Sequence, residues 1–237
     1  MSQYSERPVC SALACCTWEQ RTAGATEQRV VPDACVDLIW SGERLIIAGP
    51  DTRARVVALA PGARVVGVRL RPGVAGAVLE LPIPELLDVS PYAADVLGRD
   101  QADALLGELC ALGTGEDPHA VVLAAVESRL PAGPDPLVRA AVVALDRPQA
   151  RVAAVAAELG LSARQLQRRV GDAVGYGPKM LARVLRFRRL QALPPAPLVS
   201  LALDAGYADQ AHMTAEVTDL AGIPPVRFLK DRTPTAA

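Results

Sequence analysis

Two stretches repeat one pattern about 46 residues apart. The first is Ala156-Ala157-Glu158-Leu159-Gly160-Leu161-Ser162-Ala163-Arg164-Gln165-Leu166-Gln167-Arg168-Arg169-Val170. The second is Ala202-Leu203-Asp204-Ala205-Gly206-Tyr207-Ala208-Asp209-Gln210-Ala211-His212-Met213-Thr214-Ala215-Glu216-Val217. In each, an alanine precedes a glycine by four positions, a capping residue follows (Ser162 or Asp209), and then a short amphipathic segment. A small alanine lets two helices approach at a turn. Glycine takes the positive φ that ends the first helix. Ser or Asp accepts from the free N–H groups that open the second. The pattern therefore predicts helix, turn, helix, twice.

One such hairpin is equally compatible with plain helical packing. Two copies joined by a basic helix over 179–190 are more specific. In the first copy Leu166 and Val170, four apart, face inward with Leu159 and Leu161, leaving Ala163, Arg164, Gln167 and Arg168 outward. In the second, Met213 and Val217 face inward, leaving Gln210, Ala211, Thr214 and Ala215 outward. Arginine bonds guanine O6 and N7 as a fork, glutamine pairs with adenine N6 and N7, and alanine meets the thymine methyl.

These residues, "AAELGLSARQLQRRV", "LRFRRLQAL" and "DAGYADQAHMTAEVTDLAGIPP", resemble the AraC/XylS family of bacterial transcription regulators over roughly the last 95 residues. The resemblance implies two rigidly linked helix-turn-helix units reading successive major grooves. It implies double-stranded DNA as partner, with Ser162, Ala163, Arg164, Gln167, Arg168, Asp209, Gln210, Ala211, Thr214 and Ala215 at the interface. On the connecting helix Arg183, Arg186, Arg188 and Arg189 cannot share one face, so at least two face solvent or phosphate. Arg183, Arg186 and Arg188 are taken as DNA contacts, with pairing to Glu158 or Asp204 as the alternative. Phe187 and Leu190 are the expected core contacts, and His212 is expected to be half-buried or to contact backbone. Met213 and Val217 stand where members often carry phenylalanine, which implies looser packing of the second unit.

Charge is unevenly spread. Residues 147–237 hold 13 basic and 7 acidic side chains, and residues 1–146 hold 12 and 19. Such asymmetry suggests a sensing or assembly region joined to a nucleic-acid-binding one. Within the basic half, 147–190 holds ten basic and two acidic residues, and 191–237 three and five. The first unit is thus expected to supply most phosphate contacts.

Working outward, 9–18 reads as a strand of imperfect alternation. Val36–Trp40 alternates, with Val36, Leu38 and Trp40 on one face and Asp37 and Ile39 on the other. Strands follow at 44–48, 53–59 and Arg64–Leu70, separated by turns at 41–43, 49–51 and 61–62. Short strands at this spacing suggest a small antiparallel sheet or barrel. "PDACVDLIW", "AGPDT" and "VVGVRLRPG" resemble the N-terminal sensor-like domain of one group of AraC-type regulators; in the wider family such domains are often cupin-like barrels. After Pro72 the pattern turns helical: 73–81, 84–88, 91–98, 100–112 with Ala104, Leu105, Leu109 and Leu112 inward, and 119–130 with Val122 and Val126. These helices are expected either to form a dimer contact, as is common in the family, or to layer over the sheet. "PAGPDP" at 131–136 reads as a semi-rigid linker, and a second proline cluster at 193–198 separates the two units.

The expected fold is therefore α+β. A small β-rich domain (cupin-like or a partial barrel) with appended helices spans 1–130, and an all-α domain with two helix-turn-helix units spans 137–232. If the sheet binds a small-molecule effector, Asp37, Trp40, Arg69 and Arg71 are the polar or aromatic groups placed to line the site. The four N-terminal cysteines, Cys10, Cys15, Cys16 and Cys35, with Cys110, read as small buried residues or as a redox or soft-metal sensor. An effector-binding protein with weak DNA binding is the other alternative. No catalytic constellation, Gly-rich phosphate loop, metal-ligand cluster or cofactor motif is present in the sequence. No apolar run of about 20 residues suggests a membrane span, and the N-terminus does not read as a secretory signal. A cytoplasmic homodimer, with RNA polymerase as a further partner, completes the expectation.

Overall fold

The computed structural model describes residues 2–113, 115–129 and 134–231. The chain opens with β1 (Ser2–Pro8), antiparallel to β2 (Ala14–Thr22). β4 (Val36–Trp40), β5 (Leu45–Ala48) and β7 (Arg64–Leu70) complete a five-stranded antiparallel sheet in the order β1-β2-β7-β4-β5. β3 (Thr26–Val30) and β6 (Arg55–Leu59) pair separately as a two-stranded ribbon.

The single strand expected over 9–18 is instead a turn followed by β2. Ser11 Oγ accepts from the N–H groups of Leu13 and Ala14 at 3.2 and 3.4 Å and closes that turn. The alternation is imperfect because β2 carries a bulge. Ala14 pairs with Leu70 and Cys16 with Arg69, leaving Cys15 as the extra residue.

The Val66, Val68 and Leu70 face of β7 is buried with Val36 and Leu38. Over it lie α1 (Ala75–Leu79), a 3₁₀ turn at Ile83–Leu86, α2 (Ala93–Leu97), α3 (Arg99–Cys110) and α4 (Pro118–Glu127). In α3 the buried stripe is Ala102 and Leu109 with Leu105 and Leu106 half-buried; Ala104, expected inside, faces solvent. The helix starts at Gly98, so its i, i+3, i+7 face falls on 102, 105 and 109. The five elements form a layer over the sheet.

A second core joins α5 (Pro136–Leu145), α6 (Val152–Glu158), α7 (Ala163–Val174), α8 (Pro178–Ala192), α9 (Leu198–Ala205), α10 (Gln210–Ala221) and α11 (Pro225–Asp231). α8 crosses its centre, burying Leu181, Val184, Leu185, Phe187 and Leu190, and Phe187 stacks on Phe228 with centroids 5.0 Å apart. The expected linker residues 131–133, with 1, 130 and 232, lie outside the described residues.

The two cores are docked. Ala34, with Val31 and Leu87 beside it, packs into the helical core. The last carbonyls of a helix have no partner within it. At the end of α10, Leu220 O accepts from Ala54 N at 2.7 Å and Ala221 O from Arg29 Nη1 at 3.0 Å, and the arginine charge also suits the negative helix end.

Phe187→Ala should destabilise the protein by about 3–5 kcal/mol, read as a fall in the urea midpoint. A change below 1 kcal/mol, on the order of an exposed-site substitution, would show that the helical core does not depend on this ring.

Candidate nucleic-acid interface and adjoining cavity

The repeated sequence pattern gives two turns of the same geometry. Gly160 has φ +66° and Gly206 φ +91°. The residue after each glycine donates back to the alanine: Leu161 N to Ala156 O and Tyr207 N to Ala202 O, both at 2.8 Å. This is the six-to-one closure of a left-handed helix cap. Ala156 and Ala202 are buried at the crossing. Ser162 caps α7 in a reciprocal box with Gln165, and Asp209 caps α10 by accepting from His212 N at 2.7 Å. Gln165 escaped the sequence reading, although Ser-x-x-Gln is the signature of that box.

On α7, Leu166 and Val170 are buried and Ala163, Arg164, Gln167 and Arg168 are exposed, as the spacing predicts. Among the described residues Arg164 and Arg168 have no carboxylate partner, whereas Arg169 pairs with Asp135 at 3.1 Å. The Gln167 amide lies over Gly177, where a Cβ would come within 2.2 Å of its nitrogen. On α10, Met213 and Val217 are fully buried. Gln210, Ala211, Thr214 and Ala215 line a shallow groove with Thr218 and Asp219. The Thr214 hydroxyl donates to Gln210 O at 2.8 Å, so it faces outward as an acceptor and a methyl.

The connecting-helix arginines depart from expectation. Arg183 reaches Asp219 at 2.8 Å and Glu216 at 3.3 Å. Arg186 grips Glu216 at 2.8–3.1 Å and covers the Tyr207 ring, 5.1 Å from its centroid. Arg188 donates to Asp33 O at 3.2 Å, in the other half of the molecule. Arg189 binds Ala205 O at 2.6 Å and Asp146 at 2.9 Å. Arg183, Arg186 and Arg188 are thus held by the protein itself. The physical reason is that α8 is a central strut with covered sides. Glu158 pairs with Arg147 instead. His212 is half-buried as expected: its Nδ1 accepts from Ala208 N at 3.2 Å and Nε2 sits 3.2 Å from Glu216.

A cavity of about 440 Å³ lies between the five-stranded sheet and the β3–β6 ribbon, closed by Arg188, Gln191 and Ala192 at the end of α8. Arg69 is its polar centre, with 15% of its side chain exposed. It meets Glu6 at 3.2 Å, Asp33 at 3.2 Å and Asp37 at 3.2 and 3.3 Å. Trp18 Nε1 donates to Asp37 at 2.9 Å, and the Trp18 ring lies over Gly67, where any Cβ would collide with it at 2.4 Å. Burial opposes the Arg69 charge, but Asp37 and Asp33 together more than offset that and hold its pKa well above the usual value. Burial pushes the Asp37 carboxyl up to about 6, against the pull of Arg69.

Of the four residues expected around an effector, Asp37 and Arg69 line this cavity. Trp40 and Arg71 do not. Trp40 projects from the opposite face of β4, its Nε1 donating to Gly42 O at 3.1 Å. Arg71 lies beyond the end of β7, exposed, donating to Ser11 O at 3.1 Å. Trp18 is the aromatic wall instead. Among the described residues no group of three or more His, Cys, Asp or Glu is arranged to hold a metal ion, and no helix is long and apolar enough to cross a membrane.

Paired, identically closed helix-turn-helix units on one strut define a DNA-binding domain of the AraC type. Comparison with known proteins agrees: residues 155–231 match the family described as "Helix-turn-helix domain", and residues 8–90 match "Domain of unknown function (DUF6597)". The C-terminal region therefore belongs to the AraC-type helix-turn-helix family. Similar solved structures include the C-terminal domain of AraT, a response regulator from Geobacillus stearothermophilus, at 20% identity, covering 43% of this chain and 89% of that one, TM-score 0.39. An apo variant of ToxT from Vibrio cholerae is 11% identical, covering 96% and 100%, TM-score 0.48. Unsaturated fatty acid bound wild-type ToxT is 12% identical, covering 95% and 96%, TM-score 0.47. No curated protein matches the chain.

The raised Asp37 pKa carries a pH signature. Folded Asp37 keeps its proton to about pH 6, against about 3.9 unfolded. Between these values the folded state binds more protons, so stability from this group is full at low pH and lost as pH rises from about 4 to about 6. Asp37→Asn should flatten that slope in urea titrations across this window; an unchanged slope would assign it to another group.

Proposed function

We propose that this protein is a sequence-specific transcription regulator in which occupancy of the cavity sets the position of the two helix-turn-helix units. One observation carries the reading: Arg188 of α8 both walls the cavity and bonds Asp33 O, while α8 is the strut that holds both units. A ligand that moves the Asp33 loop therefore acts on the DNA-binding framework through a direct contact. Ala54 and Arg29 at the end of α10 provide a second connection from the ribbon side of the cavity.

Ala163, Arg164, Gln167 and Arg168 read the first groove segment, and Gln210, Ala211, Thr214 and Ala215 the second, with Ser162 and Asp209 presenting the helix ends. Arg183, Arg186 and Arg188 act as internal struts. The sensing unit is 1–130, the linker 131–136 and the DNA-binding unit 137–232. The regulator works in the cytoplasm as a homodimer on promoter DNA, with RNA polymerase as a further partner. Light scattering with and without promoter DNA measures its oligomeric state.

Footprinting on a promoter fragment should show two protected major-groove segments about one helical turn, roughly 34 Å, apart. Arg168→Ala should reduce the slope of log K against log salt by about 0.9. Arg186→Ala should leave that slope alone and lower stability by about 1–3 kcal/mol, since Arg183 and His212 still face Glu216. One protected segment, or an Arg186→Ala slope that falls like that of Arg168→Ala, refutes this assignment. For the effector, thermal-shift screening of metabolites should give a ligand whose stabilisation is lost in Arg69→Ala and kept in Arg71→Ala. Equal responses in the two variants would place the ligand elsewhere.

A further inference from the structure

The outward face of α10 carries no basic side chain: Gln210, Ala211, Thr214, Ala215, Thr218 and Asp219 line it. A cation stands at its far end all the same, and it comes from the other half of the molecule. Arg53, in the loop between β5 and β6, places Nη2 3.2 Å from Asp219 Oδ1.

The loop is built to hold that arginine out. The Asp88 carboxylate accepts from Thr52 N at 2.6 Å and from Thr52 Oγ1 at 2.7 Å. Ala54 N donates to Leu220 O at 2.7 Å. Asp51 and Arg55 pair across the base of the loop at 3.1 Å. Both neighbours of Arg53 are therefore fixed, and its side chain projects beside the last turn of α10 with 75% of its surface exposed.

Asp219 does not account for this charge. Its Oδ2 already accepts from Arg183 at 2.8 Å. The groups paired around the last turn of α10 are Glu216, Asp219 and Asp88 against Arg29, Arg53, Arg183 and Arg186, with Asp51 and Arg55 cancelling each other. Leaving His212 aside, the cations exceed the acids by one. Arg183 and Arg186 are 31% and 18% exposed, so Arg53 is the member of the set that solvent reaches.

We propose that Arg53 is a DNA phosphate contact, by which the sensing half supplies the backbone cation that the outward face of α10 lacks. The inference rests on the regulator reading and assigns a DNA contact outside both helix-turn-helix units. Asp219 lies about 13 Å along the helix axis from Gln210, comparable with the roughly 12 Å width of the major groove. An α10 whose first turns meet base edges therefore carries its last turn, and Arg53 with it, to the phosphates that wall the groove. An ion pair this exposed is weak, and the guanidinium has further N–H groups to offer a phosphate oxygen while it keeps Asp219. Asp51 and Arg55, which flank Arg53, also line the cavity, so one short loop spans the sensing site and the end of the reading helix.

The test uses full-length protein and an operator selected from random-sequence duplex DNA by the wild type, titrated over a series of KCl concentrations. Arg53→Ala should lower the slope of log K against log salt by about 0.9, so that a fourfold rise in salt weakens its binding about 3.5-fold less than that of the wild type. Arg53→Lys should restore the slope, since a phosphate takes either cation. Asp219→Asn removes the ion pair and keeps the arginine, and should not lower the slope. Ethylation of one phosphate should interfere with wild-type binding and not with that of Arg53→Ala. An unchanged slope in Arg53→Ala overturns the contact, and if Arg168→Ala still lowers it the regulator reading stands. Equal losses in Arg53→Ala and Asp219→Asn would show that the pair only docks the loop, and also overturn it. A wild type that selects no operator and binds DNA without salt dependence removes the regulator reading and this inference with it.

Discussion

Four arginines leave one fifteen-residue helix, and none of their charges can be buried without a partner except at a cost of several kcal/mol. That constraint on α8 organises the molecule. Its apolar side fixes the helical core through Phe187 and Leu190, so the guanidinium groups must find acceptors sideways. Arg189 takes the end of α9 through Ala205 O, Arg183 and Arg186 take α10 through Glu216 and Asp219, and Arg188 crosses to Asp33. Each contact fixes the orientation of a neighbouring element, so the strut sets the angle between the two helix-turn-helix units and their relation to the sheet.

The structure explains which features were legible in the sequence. Local rules carried the helix-turn-helix turns, because alanine size, glycine φ and capping are decided within six residues. They also carried Arg64–Leu70 and Val36–Trp40, whose alternation is a direct record of two-sided burial. β1 was missed because SQYSERP is a polar edge strand with little alternation to read. The strand at 9–18 was misplaced because the bulge at Cys15 puts two successive residues out of step. The partners of the α8 arginines were not legible because they are 16–155 residues away in sequence. The aromatic wall of the cavity was assigned to Trp40 although its own alternation with Asp37 sets it on the opposite face. Trp18 takes that place because Gly67, opposite it on β7, leaves room for the ring.

Arg69 plays for the sheet the part that α8 plays for the helices. A guanidinium ringed by Glu6, Asp33 and Asp37 joins β1, the loop before β4, β4 and β7 at one point. The cluster carries one more acid than Arg69 and Arg188 balance, which is why burial can keep Asp37 partly protonated. It also places two positive charges beside Cys15. The cluster thus meets the Asp33 loop, the segment whose carbonyl receives Arg188.

The internal pairing changes the meaning of the charge asymmetry between the two units. Of the ten basic residues in 147–190, Arg147, Arg169, Arg183, Arg186 and Arg189 are engaged with carboxylates, and Arg188 with a carbonyl. Arg151, Arg164, Arg168 and Lys179 have no carboxylate partner among the described residues, and all four are exposed. Of the acids of the second unit, Glu216 and Asp219 are held by arginines from the strut and Asp209 caps α10, while Asp204 is exposed. Positive charge counted with the first unit therefore serves to fold the second. What remains outward on α10 at Gln210, Ala211, Thr214 and Ala215 is neutral, one amide among small side chains. The unpaired positive charge of 147–190 lies on α7 and its flanks. Counting charges along the sequence therefore overstates the free positive charge of the first unit, because part of it is spent inside the protein on Glu216 and Asp219 of the second.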